Sequence, residues 1–282
     1  MRKTTTKLWI GIGTVALLGA GAAQAATMGA ADHGTHHPAA QAPYQMAATQ
    51  GGEGGEGGEG GEAGHEHDVF SKVSADEALV GRLLMLKGHL QVGWSLYEAG
   101  RPDDAAPHFL HPAEEIYKDI KKPLSGKKIP QFEKELGALA TLVKQKKPAA
   151  EVAPKHAAVL ETVNKAIGKA GKDNARFVMN VVPAVLDQAQ DEYKEALEGG
   201  RIANAVEYQD AGGFVLAARD YANGHAKALG AKDAAAQGKL TEYLGELAKA
   251  FPAAVPPQAP VMEHGAFQAT VSRIELLKGS FR

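Results

Sequence analysis

Apolar residues after Asp68 recur every three or four positions, which is the spacing of an amphipathic helix. The clearest stripe lies between Ser74 and Ala99 and consists of Leu79, Leu83, Leu86, Leu90, Trp94 and Tyr97. Strands would instead alternate apolar and polar residues, and the β-branched residues here are scattered. The region therefore predicts an all-α fold.

Capping residues and helix breakers divide this region into eight predicted helices. Ser74 and Glu77 have the spacing of a capping box, and Gly100 can end the first helix. Pro102 can open the second, because the first helical position needs no backbone N–H. The predicted helices cover approximately residues 74–99, 102–120, 130–145, 151–170, 173–197, 202–229, 232–251 and 258–277.

The last four predicted helices repeat the first four in diverged form. A shift of 100 positions places Gly100 on Gly200, and a shift of 108 positions places His156 on His264. This period is much longer than that of solenoid repeats. We therefore expect two similar antiparallel four-helix bundles from an internal duplication, with residues 71–171 in the first and 172–282 in the second.

The N-terminal residues 1–25 have the pattern of a secretory signal peptide. Arg2, Lys3 and Lys7 precede an apolar stretch that ends in the small-residue triplet Ala23-Gln24-Ala25. An uncleaved membrane anchor is the alternative interpretation. With cleavage, we expect a soluble periplasmic protein without a membrane anchor.

Residues 26–70 form a Gly/Glu/His-rich arm that we expect to be disordered, because it has little apolar surface to bury. The arm has a GGE repeat and contains five of the eleven histidines of the chain, namely His33, His36, His37, His65 and His67. Such a His/Glu tract can chelate Zn(II), Cu(II) or Ni(II) loosely. The alternative is a solubilising linker.

The helical region that follows the arm, called the body below, is nearly neutral in charge and has no basic stripe. Nucleic acid is therefore not an expected partner.

The densest group of metal-ligating residues lies in the second predicted helix. Asp104, His108, His111 and Glu115 share one face of a continuous helix, and Glu114 is adjacent. Two imidazoles with carboxylates suit a divalent transition metal or iron. Because the chain has no cysteine, only nitrogen and oxygen ligands are available. The same face lies nearly opposite the apolar stripe of this helix, so a solvated face is the alternative.

Pro112 weakens the argument for a solvated face. Its nitrogen has no hydrogen to donate to the carbonyl of His108, so the helix should bend there. The best candidate ligand from another helix is His89, which flanks the apolar stripe of the first helix; a purely structural role is its alternative. The predicted metal ligands are therefore His89, His108, His111, Glu114 and Glu115.

His156 and His264 occupy equivalent places in the two halves, each with apolar residues three and seven positions later. Both are expected to point inward, either as hydrogen-bonded core residues or as ligands. The sequence shows no Gly-rich phosphate loop, nucleophile elbow or cysteine nucleophile, so an enzyme is not expected.

The segment His111-Pro112-Ala113-Glu114 contains an H-x-x-E element. In an exported, duplicated helical protein, this element resembles the imelysin-like family, which includes periplasmic iron-uptake components. The resemblance implies two related helical bundles and a G-x-H-x-x-E motif for metal binding, with His111 and Glu114 as ligands. Phe109 stands where that motif has glycine, and no peptidase activity is inferred.

The sequence thus predicts a periplasmic metal-binding protein that captures, buffers or delivers ions. One principal site is expected in the first half, because Tyr208 and Ala211 occupy the positions that match His108 and His111. The alternative is a helical adaptor or scaffold that binds an envelope protein through a groove around Trp94 and Tyr97.

Overall fold

The computed structural model describes residues 68–282, in which every regular element is a helix apart from one short hairpin. The all-α prediction is confirmed. The predicted signal peptide and most of the predicted arm, including its five histidines, lie outside the described residues. Within residues 68–282, every helix is too short or too polar to cross a lipid bilayer.

The first half follows the predicted order, but its second helix is broken into several pieces. The elements are α1 (Ala75–Glu98), α2 (Pro102–Ala105), α3 (Pro107–His111), a π-helical turn (Pro112–Ile116), α4 (Tyr117–Gly126), α5 (Glu133–Lys144) and α6 (Ala149–Ala170). The breaks fall at Pro107 and Pro112, where a ring replaces the backbone N–H that a continuous helix would use. The bend predicted at Pro112 is therefore present, in the form of the π-helical turn.

The second half also contains four main helices. Its elements are α7 (Ala175–Ala196), a hairpin of β1 (Leu197–Glu198) and β2 (Arg201–Ile202), α8 (Ala205–Gly224), α9 (Ala226–Lys232), α10 (Ala234–Ala248), α11 (His264–Leu276) and a 3₁₀ turn (Leu277–Phe281). The last main helix begins later than predicted, because Pro256, Pro257 and Pro260 precede it. The predicted boundary between the halves falls between α6 and α7.

Local sequence signals account for several helix ends. Ser74 and Glu77 form the predicted capping box, in which the Ser74 backbone N–H donates to Glu77 Oε2 over 2.7 Å. Gly100 follows α1 with a φ of +74°, and Gly200 has a φ of +75° at the matching position of the second half. These left-handed conformations favour glycine, so the turn after the first helix is conserved between the two halves.

The halves meet where α1 packs along α8, and α1 also contacts α6 and α7. At this crossing Gly88 of α1 lies against Gly213 of α8, and a Cβ built on Gly88 would lie 2.7 Å from the carbonyl of Gly213. The two helix backbones are therefore in direct contact. This close approach brings His89 and Asp210, each near the crossing, to the same point of the core.

We predict that Gly88→Ala destabilises the protein by about 1–3 kcal/mol, because the new methyl group must push the two backbones apart. Gly137→Ala is the matched control: it lies inside α5 with open space around its Cβ position, so it should stabilise by about 0.5–1 kcal/mol. Urea denaturation of both variants gives the free energies of unfolding. Equal stability of the two variants would show that α1 and α8 do not touch at this point.

Candidate metal centre

Three buried ionisable side chains from three helices meet at the α1–α8 crossing. His89 comes from α1, His108 from α3 and Asp210 from α8, and one donor atom of each lies within 4.8 Å of the others. Their exposed fractions are 5%, 0% and 3%. Two imidazole nitrogens and a carboxylate oxygen are donors that transition-metal ions accept.

Asp210 is the central member of this group. Its Oδ1 atom lies 2.8 Å from His108 Nδ1 and 2.7 Å from His89 Nδ1. The contact with His108 is a hydrogen bond, whereas His89 Nδ1 is buried and lacks a hydrogen-bond partner of acceptable geometry. A short distance without hydrogen-bond alignment fits donors that converge on a shared ion. The orphaned nitrogen of His89 therefore supports a ligand role.

Gln209 fixes the orientation of the His108 ring. Its Nε2 atom donates to the Ala254 carbonyl over 3.1 Å, and this leaves Oε1 to accept from His108 Nε2 over 2.9 Å. The proton of neutral His108 is thereby assigned to Nε2, and Nδ1 presents its lone pair towards Asp210. Metal-ligating histidines commonly donate their second ring N–H to such an acceptor. Gln209 therefore orients the His108 ring so that Nδ1 points towards Asp210, where it could act as a donor to an ion.

Charge compensation holds Asp210 and His108 together when no ion is bound. Burial alone would raise the pKa of Asp210, but His89 and His108 outweigh it and hold that pKa well below its usual range. Burial would likewise lower the pKa of His108, but the Asp210 carboxylate outweighs it and raises that pKa. Both pKa shifts favour the charged pair, in which Asp210 is a carboxylate and His108 is an imidazolium. A metal ion would take the place of the proton on Nδ1.

A cleft of about 580 Å³ opens beside His89 and Asp210, between α1, α4, α7 and α8. A water molecule occupies about 30 Å³ in the liquid, so the cleft has room for the remaining ligands or waters of an ion. Its polar lining includes Glu192, whose Oε1 accepts from Gln188 Nε2 over 2.7 Å. Burial, together with the neighbouring Glu207 carboxylate, raises the pKa of Glu192 above its usual range.

The structure brings four of the five predicted ligands to this centre or its cleft. His89 and His108 belong to the buried group. His111 lies on the cleft, with its ring centroid 6.4 Å from that of His89, and Glu115 lines the same cleft. Glu114 is exposed and does not line the cleft. The face of α3 that carries His108 is covered by α8, so the His108 ring has no access to solvent.

Asp210 and Gln209 were missed by the sequence analysis, which looked for a site within the first half. A signal was nevertheless present, because Asp210 precedes Phe214, Ala217 and Tyr221 by four, seven and eleven residues. A carboxylate in such an apolar stripe must be buried on the inner face of a helix and must then have a partner. The candidate centre therefore combines two donor residues of the first half with one of the second.

The two histidines in equivalent positions have different surroundings. His156 Nε2 lies 3.0 Å from the Leu90 carbonyl, and its ring stacks on Trp94 at a centroid distance of 4.9 Å. Burial lowers the pKa of His156. These contacts support the core interpretation for His156. His264 is half-buried at the start of α11, where its Nε2 atom lacks a hydrogen-bond partner.

We predict that the ion-free protein loses stability as the pH rises above about 6.5. The pKa of His108 is raised in the fold, so the stabilisation from its proton is complete below the unfolded pKa and disappears as the pH passes the raised value. Urea denaturation with a chelator between pH 6 and 9 measures this slope. His108→Asn keeps a donor but cannot be charged, so it should flatten the slope, whereas His225→Asn should keep it. An unchanged slope in His108→Asn would contradict the assignment.

Comparisons with known proteins bear on the second half of the chain. Residues 168–278 match the family model of the iron permease-associated 4-helix bundle domain. The match runs from the end of α6 to the 3₁₀ turn and contains Asp210 and Gln209, but not the histidines of the centre. Searches of curated proteins and of solved structures gave no match. The resemblance to the imelysin-like family remains a prediction, and the finding is coarser: residues 168–278 are similar to a helical bundle associated with iron permeases.

Proposed function

We propose that this protein is a periplasmic iron-binding component of an uptake system, which captures the ion and presents it to an iron permease. The observation that carries the proposal is the convergence of His89, His108 and Asp210 in the core, with donor atoms within 4.8 Å of one another. Buried charges of this kind are costly unless they are paired or hold a metal. The similarity of residues 168–278 to an iron permease-associated bundle makes iron the preferred ion.

The donor set suits iron for a chemical reason. Two imidazoles and one carboxylate with open coordination positions are typical of Fe(II) sites, although Zn(II) accepts the same donors. The open positions would face the cleft, whose wall offers His111 and Glu115 as further donors to the ion or to its bound waters. The buried donors would retain the ion, and the exposed cleft beside them would allow the ion to leave.

Proton exchange provides a means of release. Binding of the ion at His108 Nδ1 requires loss of the proton that this nitrogen shares with Asp210, so the ion and the proton compete for one place. Gln209 keeps the ring in its binding orientation during the exchange. We therefore expect affinity to fall as the pH decreases, with no chemical step on the ion itself and no enzymatic activity.

The adaptor alternative has less support from the structure. Trp94 stacks on His156, and the Tyr97 hydroxyl donates to the Lys147 carbonyl. These aromatic side chains thus have partners within the protein, and Tyr97 is buried. We accordingly propose an envelope protein as a recipient of the ion, with an iron permease as the preferred one.

We predict that Fe(II), added under anaerobic conditions to chelator-treated protein, raises the melting temperature of the body. An ion that binds only the folded state stabilises it by about 2.7 kcal/mol at one hundred times its dissociation constant. Asp210→Asn and His89→Ala should abolish most of this shift, whereas His225→Ala should retain it. Thermal melting is the suitable readout because an ion bound only by residues 26–67 does not hold the helical core together.

A full shift in Asp210→Asn would contradict the assignment of the centre. Parallel titrations with Zn(II), Cu(II) and Ni(II) compare the ions, and iron should give the largest shift at matched free concentration if uptake of iron is the function. Circular dichroism of each ion-free variant controls for loss of the fold.

We also predict that Gln209→Leu lowers iron affinity about 10- to 100-fold without removing any ligand, because the His108 ring loses the acceptor that orients it. Gln237→Leu on α10 is the control, since the Gln237 side chain donates a hydrogen bond to Thr241 of its own helix and lies outside the candidate centre. Competition with a chelator of known affinity measures both variants. Wild-type affinity in Gln209→Leu would show that His108 does not bind the ion.

A further inference from the structure

A second pocket adjoins the candidate metal centre at Gln209, which is part of its lining. This pocket has a volume of about 290 Å³ and lies between α1, α8, α10 and the segment that follows α10. It is called the Arg219 pocket below, after the charged residue in its lining. A water molecule takes up about 30 Å³ in the liquid, so the pocket has room for a ligand of roughly ten non-hydrogen atoms.

The wall of the Arg219 pocket is largely apolar and is already formed without a ligand. Val215, Leu216 and Phe251 belong to its lining. The Phe251 ring packs so closely on α8 that a Cβ at Gly212 would lie 3.0 Å from it, and its centroid lies 5.1 Å from that of Tyr208. Small-molecule sites are usually pre-formed and apolar in this way, with a few polar groups that fix the ligand. The wall therefore favours a ligand with an apolar part.

Arg219 gives the pocket a positive charge, and the described residues of the lining include no carboxylate. The Arg219 Nη2 atom lies 3.8 Å from Asp220 Oδ1, which is beyond the usual hydrogen-bond range. A guanidinium has five N–H donors in a planar arrangement that matches the two oxygens of a carboxylate. Arg219 therefore has donors left for the carboxylate of a ligand.

Gln209 connects the Arg219 pocket to the candidate metal centre. Gln209 and Ala254 both line the pocket, and the Gln209 Nε2 atom donates to the Ala254 carbonyl over 3.1 Å. The Oε1 atom of the same amide accepts from His108 Nε2 over 2.9 Å. The pocket offers space into which this amide could turn away from His108. A ligand in that space would keep the amide in place.

We propose that the Arg219 pocket binds a small aliphatic carboxylate, and that the bound ligand strengthens iron binding through Gln209. The carboxylate pairs with Arg219, and the hydrocarbon chain packs on Phe251 and its apolar neighbours. The ligand does not touch the ion. It acts by holding Gln209 in the orientation that positions His108. The effect on iron rests on the proposed function of the centre, whereas binding of the carboxylate does not depend on it.

The first experiment is calorimetric titration of the ion-free protein with octanoate, which has ten non-hydrogen atoms and fills the pocket. Hexanoate should bind roughly 15-fold more weakly, because each buried methylene group contributes about four-fold to affinity. Arg219→Gln should lower octanoate affinity at least about ten-fold, since it removes a charge-assisted pair. Arg176→Gln is the matched control, because it removes the same charge from an exposed arginine outside this lining. Its octanoate affinity should stay within about two-fold of the wild-type value.

Two results would overturn the carboxylate site. One is the absence of saturable octanoate binding to the wild-type protein. The other is an equal octanoate affinity in Arg219→Gln and Arg176→Gln, which would show that Arg219 does not hold the carboxylate. Both results are independent of whether the protein binds iron.

The second experiment measures Fe(II) affinity by competition with a chelator, with and without saturating octanoate. We expect octanoate to raise Fe(II) affinity at least about three-fold, and Fe(II) to raise octanoate affinity by the same factor, because coupling between two sites is reciprocal. Acetate at the same concentration is the control for direct complexation of iron by a carboxylate, since it is too short to fill the pocket. In Gln209→Leu, octanoate should leave Fe(II) affinity unchanged.

The outcomes separate this inference from the proposed function. Octanoate binding that leaves the Fe(II) affinity of the wild-type protein unchanged would overturn the coupling, while Fe(II) binding itself would still support the centre. Equal coupling in Gln209→Leu and the wild-type protein would overturn the role of Gln209. If the body binds no Fe(II), both the proposed function and the coupling are wrong, and the carboxylate site is still decided by the first experiment.

Discussion

Burial of the Asp210 carboxylate is the constraint on which the rest of the account depends. A carboxylate with 3% exposure needs a positive charge close to it, because an uncompensated charge in a protein interior is destabilising by several kcal/mol. The imidazoles of His89 and His108 lie within 2.8 Å of its Oδ1 atom and can provide this charge as a proton or through a shared ion. The same three side chains therefore form a structural ion pair without an ion and, under the proposed function, would form a coordination site with one.

The fold holds these three side chains rigidly and also places them beside an open cleft. The contact between Gly88 and Gly213 fixes the distance between α1 and α8, and Gln209 fixes the His108 ring through a second hydrogen bond to Ala254. On the other side lies the cleft, whose lining includes His111 and Asp68. Rigid donors on packed helices and an open path on one side are suited to binding an ion selectively and then giving it up.

The sequence predicted the helical class, the capping box at Ser74, the glycine turn at Gly100 and two of the three buried donors. These features depend on local patterns, which a single sequence displays directly. Asp210 could not be placed in the same way, because it lies 102 residues after His108 and only the packing of α3 against α8 brings the two together. The alternative of a solvated face assumed that the second predicted helix is straight. In the fold, prolines break that helix, and Gln209 and Asp210 of α8 cover the His108 side chain.

The most direct test of the central claim is an anomalous diffraction experiment at the iron edge on crystals of the protein loaded with Fe(II). The account predicts one strong peak in the body, about 2.0–2.2 Å from His89 Nδ1, His108 Nδ1 and Asp210 Oδ1, which are usual distances for such donors. An ordered iron peak elsewhere, with the Asp210–His108 hydrogen bond still intact, would contradict it.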